Sequence, residues 1–345
     1  MLVFLGVIFH ALGGFASGSF YLPYKKVTGW AWESYWLVGG LVSWLVAPWV
    51  LGALTVPHLL GVLHQAAGST LWWTYFWGVL WGLGGLTFGL AMRYLGLSLG
   101  MAVTLGLCAV FGTLVPPLWA GTLGQLVSTA AGRVVVLGLG VCVLGILICG
   151  RAGLLKEQSQ TQAEKRAVIA EFDLRKGLAV AVFSGVMSAC MSFGLTAGQP
   201  IAALAAQRGT NALFVNNAIL VVILLGGLTT NAAWCLYLNV KNRTYTDYGN
   251  PSLPALRNVL FCALAGLTWY FQFFFYGMGD SQMGPYRFSG WTLHMAFIIA
   301  FSSMWGLLLH EWRGANRLTL RTISLGIGIV VLSTVVVGYG NYLAG

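Results

Sequence analysis

Apolar residues run along this chain in long unbroken stretches separated by short polar connections, and that pattern predicts its elements. A helix rises 1.5 Å per residue, so crossing about 30 Å of hydrocarbon takes roughly 20 apolar residues. Runs of that length predict spans near 2–22, 34–54, 71–91, 97–119, 134–150, 177–197, 213–237, 257–278, 289–309 and 322–342, ten in all. The runs are continuous rather than alternating, which excludes an outer-membrane barrel. The fold class expected is therefore an all-α polytopic membrane protein. The first run, Leu2 to Leu22, lacks a basic leading region and a small-residue cleavage site, so it reads as a span rather than a removable signal.

Composition agrees. Of 345 residues 58% are hydrophobic and 8% charged, against about 25% charged in a soluble domain. The net charge of +10 does not call for nucleic acid, because the basic residues sit in the connections. Fifteen Lys and Arg fall in odd-numbered connections and three (Arg133, Arg208 and Arg287) in even-numbered ones. The positive-inside rule then puts the odd connections in the cytoplasm of a bacterial inner-membrane protein, with both termini periplasmic. The six cysteines all lie in apolar runs with no C-x-x-C pair, which reads as packing rather than disulfide or metal chemistry.

The longest polar stretch, 151–176, divides five spans from five. Residues 1–150 and 177–345 are thus expected to be two halves joined by a cytoplasmic linker. An odd number of spans per half inserts two similar halves in opposite topology, the inverted-repeat arrangement. Short matches accompany it: Gly14-Phe15-Ala16-Ser17 answers Gly185-Val186-Met187-Ser188, and Gly85-Leu86-Thr87-Phe88 answers Gly266-Leu267-Thr268-Trp269.

Charge inside hydrocarbon is expensive, about 2.5–3.5 kcal/mol at a helix centre, so each ionisable residue in a span needs a reason. Glu33, between Trp32 and Trp36 at the start of span two, can carry a proton; a first-turn Glu favoured by the helix dipole is the structural alternative. Asp280 and Glu311 are expected to close helices at the interfaces. His58 and His64 fall in a connection and His310 at a helix end, whereas His10 and His294 sit inside apolar runs. His10, Gly14, Ser17 and Tyr21 recur as a small and polar stripe on one helix face. A buried histidine is commonly a packing residue, yet two in opposite halves also suit a proton carrier. In span eight Trp269, Gln272, Phe273 and Tyr276 fall on one face. Aromatic faces stack on the C–H surfaces of sugars while an amide and a phenol meet hydroxyls, and an amide turned to lipid is costly. Packing against lipid is the alternative for the phenylalanines.

No nucleotide-binding loop, metalloprotease helix, nucleophile elbow or paired catalytic carboxylates occur, which argues against an enzyme or an ATP-driven pump. No cofactor is expected beyond an ion.

At this point the chain resembles the bacterial L-rhamnose–proton symporters of the drug/metabolite transporter superfamily. The resemblance rests on Phe20-Tyr21-Leu22-Pro23-Tyr24-Lys25-Lys26-Val27 with Trp30, Trp32-Glu33 and Trp36-Leu37-Val38-Gly39-Gly40, on Met92-Arg93-Tyr94-Leu95-Gly96 and Arg151-Ala152-Gly153. It continues through the block from Trp269 to Tyr276, Trp291-Thr292-Leu293-His294-Met295 and Glu311-Trp312, in order along nearly the whole chain. It implies ten spans in two inverted five-span halves and proton-coupled import of a small sugar. The candidate substrate contacts are Tyr21, Lys25, Trp36, Trp269, Gln272, Phe273, Tyr276 and Trp291. The candidate proton carriers are Glu33, His10 and His294. The partners expected are the sugar and membrane lipid, with neither nucleic acid nor an obligatory protein partner. Where the family carries an Asn-rich patch in span three, this chain has Gly84-Gly85-Leu86-Thr87-Phe88, which leaves L-rhamnose, a related deoxysugar and a pentose as candidate sugars. An exporter of amphipathic compounds is the second reading, and it would need a more apolar cavity.

Overall fold

The computed structural model describes residues 2–119, 123–159, 171–282 and 287–343. Every regular element among them is helical. Among the described residues nine helices are long and apolar enough to cross a membrane: α1 (Phe4–Tyr24), α2 (Trp32–Thr55), α3 (Gly68–Leu95), α5 (Ala130–Lys156), α6 (Leu174–Gln207), α7 (Ala212–Asn242), α8 (Ala255–Gln282), α9 (Gly290–Leu308) and α10 (Arg317–Gly340). Between α3 and α5 lies α4 (Leu97–Trp119), whose apolar core is Leu99–Gly112. Large apolar side chains such as Phe4, Leu54, Leu147, Leu256 and Val335 cover the outside. Lipid can cover such a surface and water cannot.

α1 rests on α8 and α9, and α6 rests on α3 and α4. α3 packs on α7 and α2 on α8, while α5 and α10 pair at the edge of the bundle. Lipid tails are as apolar as leucine, so helices join here through close backbone approach and interhelical hydrogen bonds. Glycine permits the approach. A Cβ on Gly226 of α7 would strike the carbonyl oxygen of Tyr75 in α3, and one on Gly266 of α8 would strike that of Gly39 in α2. Gly138 and Gly145 of α5 lie against Val337 and Val330 of α10, and Gly326 of α10 against Cys149. Hydrogen bonds pin the same contacts: Ser184 Oγ donates to the Gly84 carbonyl at 2.8 Å and Thr230 Oγ1 to that of Val79 at 2.8 Å.

Several helices are not straight. α1 breaks at Phe20, between Leu2–Ser19 and Tyr21–Tyr24, and α6 breaks at Ala189, between Leu174–Ser188 and Cys190–Ala197. α2 widens into a π-turn over Val42–Val46, where the Ala47 N–H reaches back to the Val42 carbonyl. The cause is Pro48, which has no N–H for the Trp44 carbonyl and whose ring crowds that oxygen. The turn between α3 and α4 is one residue, Gly96, at φ +80°, which a side chain would strain.

The first residues of the expected linker are helical. α5 runs on as helix to Ser159, eight residues past Arg151, where charge begins to cluster. Lys156 tolerates this because its ammonium lies 5.2 Å from the Phe172 ring and 5.1 Å from the Trp312 ring and donates to the Glu311 carbonyl at 3.0 Å. Glu164 of the linker falls outside the described residues. Gly226→Val should force α3 and α7 apart at a cost of about 1–3 kcal/mol. A thermal melt of the purified protein in detergent checks this, and an unchanged midpoint would contradict the close approach.

Candidate functional site

A narrow cavity of about 60 Å³ lies at the centre of the bundle. Seven helices line it: α1, α2, α3, α4, α6, α8 and α9. Five expected substrate contacts stand in its wall: Trp36, Trp269, Gln272, Phe273 and Trp291.

Its aromatic side is built on α2, α3 and α8. Trp44 meets Trp269 edge-on at 5.7 Å and Trp81 edge-on at 6.4 Å, while Trp81 lies 5.5 Å from Trp269 and 6.0 Å from Phe273. Trp36 is fixed by its own hydrogen bond. Its Nε1 donates to Asn231 Oδ1 at 3.0 Å, and the Asn231 amide donates to the Gly82 and Gly227 carbonyls at 3.1 and 2.8 Å. One buried amide thus ties α2, α3 and α7 together behind the cavity.

The polar side is sparse. Gln272 accepts from Ser17 Oγ at 2.8 Å, joining α8 to α1. Ser188 lines the wall opposite, and Phe88, Leu105, Met295 and Ile298 complete an apolar stretch. The indole N–H groups of Trp44 and Trp291 are buried with no partner among the described residues. A buried donor without an acceptor costs about 1–3 kcal/mol, so these two ask for an acceptor.

The remaining expected residues lie elsewhere. Tyr276 stands one turn beyond Gln272, its ring 5.3 Å from both His10 and His294 and 5.7 Å from Trp291. Tyr21 packs on Trp36 at 6.1 Å outside the cavity wall. Lys25 is exposed, lies outside the cavity wall and forms no ion pair among the described residues. Glu33 is buried at the end of the bundle, where its Oε1 accepts from Asn242 Nδ2 and Thr244 Oγ1, both at 2.9 Å. Beside it Asp247 accepts from the Ala31 N–H at 2.8 Å and from Ser34 Oγ at 2.7 Å. Asn258 bridges to Thr28 through both its amide atoms. These bonds sew the first connection to the seventh and seal that face.

Sequence reasoning did not single out Trp44, Trp81, Phe88 or Ser188 as wall residues. Trp44 was recoverable, since it follows Trp36 by eight residues and so shares its face. Trp81, inside a tryptophan-rich span, carried no signal separating it from interfacial anchors. Asp280 was expected at an interface. It lies in the last turn of α8, is buried, and its Oδ2 accepts from Asn216 Nδ2 at 3.2 Å.

A family profile described as L-rhamnose-proton symport protein (RhaT) matches residues 1–343. A protein of Cronobacter sakazakii described as an L-rhamnose-proton symporter is 40% identical over 341 residues, covering 97% of both chains. So described too are a Yersinia pestis protein, 37% identical over 98% of both chains, and an Escherichia coli protein, 37% identical over 97% of both. No solved structure matches the chain at a significant level.

Each bond to Asp247 counts as one to a charged acceptor, about 1.5–3 kcal/mol. Asp247→Ala should therefore unseal its face, raising the thiol-reagent labelling of Cys108 in the cavity wall by at least about tenfold. The measurement needs the other five cysteines replaced, and unchanged labelling would show that the network is not a seal.

Proposed function

Because the chain belongs to the L-rhamnose-proton symport protein family, we propose that it imports L-rhamnose with a proton by alternating access around the central cavity. Membership makes it a multi-pass membrane transporter and not an enzyme. One observation carries the substrate reading: a wall that joins an aromatic cluster to one amide, two serines and two unpartnered indole N–H groups. Indole faces suit the C–H faces of a pyranose, and the polar groups suit its hydroxyls. L-Rhamnose is a deoxysugar, with a methyl where a hexose carries a hydroxymethyl group. The apolar stretch of Phe88, Leu105, Met295 and Ile298 accommodates that methyl and offers an extra hydroxyl no partner. Trp36, Trp269, Gln272, Phe273 and Trp291 are the contacts we assign.

The inverted arrangement, with halves 1–150 and 177–345 and linker 151–176, is part of the same reading. Helix pairs support it, since each has a counterpart five helices on: α1 with α8 and α6 with α3, α1 with α9 and α6 with α4, α3 with α7 and α8 with α2. Ser17 and Ser188 line the cavity just before the breaks in α1 and α6, and Phe88 and Trp269 face it from α3 and α8. The excess of Lys and Arg in odd connections supports an inner-membrane protein with both termini periplasmic. Alkaline phosphatase fused after Gly345 should then be active in cells, and an inactive fusion would reverse the orientation.

Uptake of labelled L-rhamnose into proteoliposomes tests the function. An imposed inward proton gradient should produce accumulation, its absence only equilibration, and L-mannose should compete weakly. Gln272→Ala removes one hydrogen-bonding group and strands Ser17, so L-rhamnose binding should weaken by about tenfold or more while the protein stays folded. Wild-type affinity in that variant would take Gln272 out of the site.

A further inference from the structure

Two of the five histidines are fully buried, and they are buried together. His10 of α1 and His294 of α9, 284 residues apart in sequence, have ring centroids 5.9 Å apart. Among the described residues none of their four ring nitrogens makes a well-formed hydrogen bond, the His294 ring having only a looser approach to the His10 backbone. A packing histidine normally satisfies at least one nitrogen, since a buried polar atom without a partner is costly. Two such rings in contact are better explained by a ligand that comes and goes.

Granting symport, we propose that the His10–His294 pair is the proton-carrying site, taking one proton for each sugar. The proton adds to a ring nitrogen lone pair on one side of the membrane and leaves that nitrogen on the other, so no further reactant is needed. Two imidazolium rings 5.9 Å apart would repel strongly at low dielectric, which limits the pair to a single added proton.

The groups facing the pair suit this. α8 contributes Tyr276, whose ring touches both imidazoles, and Asp280. His10 Nε2 and Asp280 Oδ1 both lie within 4 Å of the position a Cβ would take on Gly290 of α9. A carboxylate there favours an imidazolium next to it. Glu33 offers no such arrangement, because its carboxylate is held by two neutral donors at the sealed face.

The pair is also joined to the cavity. A Cβ on Gly13 of α1 would lie 2.8 Å from the Gln272 carbonyl and 2.8 Å from His294 Cε1. The turn of α8 that carries the Gln272 amide and the ring of His294 therefore press on one glycine. Trp291, in the cavity wall, is one turn from His294 on the same helix. A shift of α8 on sugar binding is felt at the imidazoles at once, and linkage makes the influence mutual.

The test compares two transport modes in proteoliposomes bearing the unmodified protein, His10→Gln, His294→Gln or both. Counterflow exchanges sugar for sugar and needs no net proton movement; accumulation does. The variants should retain counterflow within a few-fold of the unmodified rate and lose accumulation in a proton gradient. Accumulation at the unmodified level in the double variant would overturn the proposal. Should the variants fail to fold, the unmodified protein still decides. Adding L-rhamnose in weakly buffered detergent should take up about one proton per chain. Imidazole nitrogen NMR should show the change on the two rings that do not follow bulk pH, unlike those of exposed His58, His64 and His310. Proton uptake without a change on those rings would equally overturn it. If the unmodified protein neither exchanges nor accumulates L-rhamnose, the failure lies with the symport reading.

Discussion

Lipid offers a buried polar group nothing to bond to, and this constraint organises the molecule. A polar side chain inside the bundle must find its partner on another helix, and it can do so only where backbones come close. The glycines and the interhelical hydrogen bonds are two aspects of one solution. Gly226 lets α7 lie against α3, and five residues on Asn231 reaches the Gly82 carbonyl while holding Trp36. Gly84 lies against Ser188, and its carbonyl accepts from Ser184.

Against that background, unpartnered groups carry meaning. Several buried groups lack a well-formed hydrogen bond among the described residues, and those at the cavity and beside it are the indole N–H groups of Trp44 and Trp291 and the rings of both buried histidines. A hydroxyl-rich solute and a proton supply what the lipid cannot. The π-turn of α2 belongs to the same economy, since Pro48 withdraws one backbone donor and the widened turn sets Trp44 into the cavity wall.

The two ends of the bundle differ. The face bearing the odd connections is closed by acceptors on Glu33, Asp247 and the Glu311 backbone, and by the ion pair of Arg93 with Glu171. Lys156 spends its charge there on two aromatic rings and a carbonyl rather than on water. A cavity sealed by several modest hydrogen bonds can be opened without unfolding, whereas helices packed backbone to backbone through glycine move as rigid units. Rocking of such units about a central cavity needs both kinds of contact.

The membrane-embedded class, the asymmetry of the connections and the family were legible in the sequence, because each depends on local composition or on ordered motifs; of the ten spans expected, nine are membrane-length apolar helices among the described residues and α4 carries a shorter apolar core. Hydropathy adds up residue by residue, so no knowledge of neighbours is required. The span-eight stripe was legible for the same reason: helical period alone brings Trp269, Gln272 and Phe273 to one face. Which residue meets which was decided only in three dimensions. His10 and His294 are ordinary apolar-run histidines until α1 and α9 cross, and Glu33 looks like an exposed first-turn acid until Asn242 and Thr244 arrive from a connection some 210 residues away. Lys25, prominent within a family block, faces solvent. Close approach of backbones at glycine sets these meetings, and with 47 glycines in the chain nothing local distinguishes those that touch another helix from those that do not.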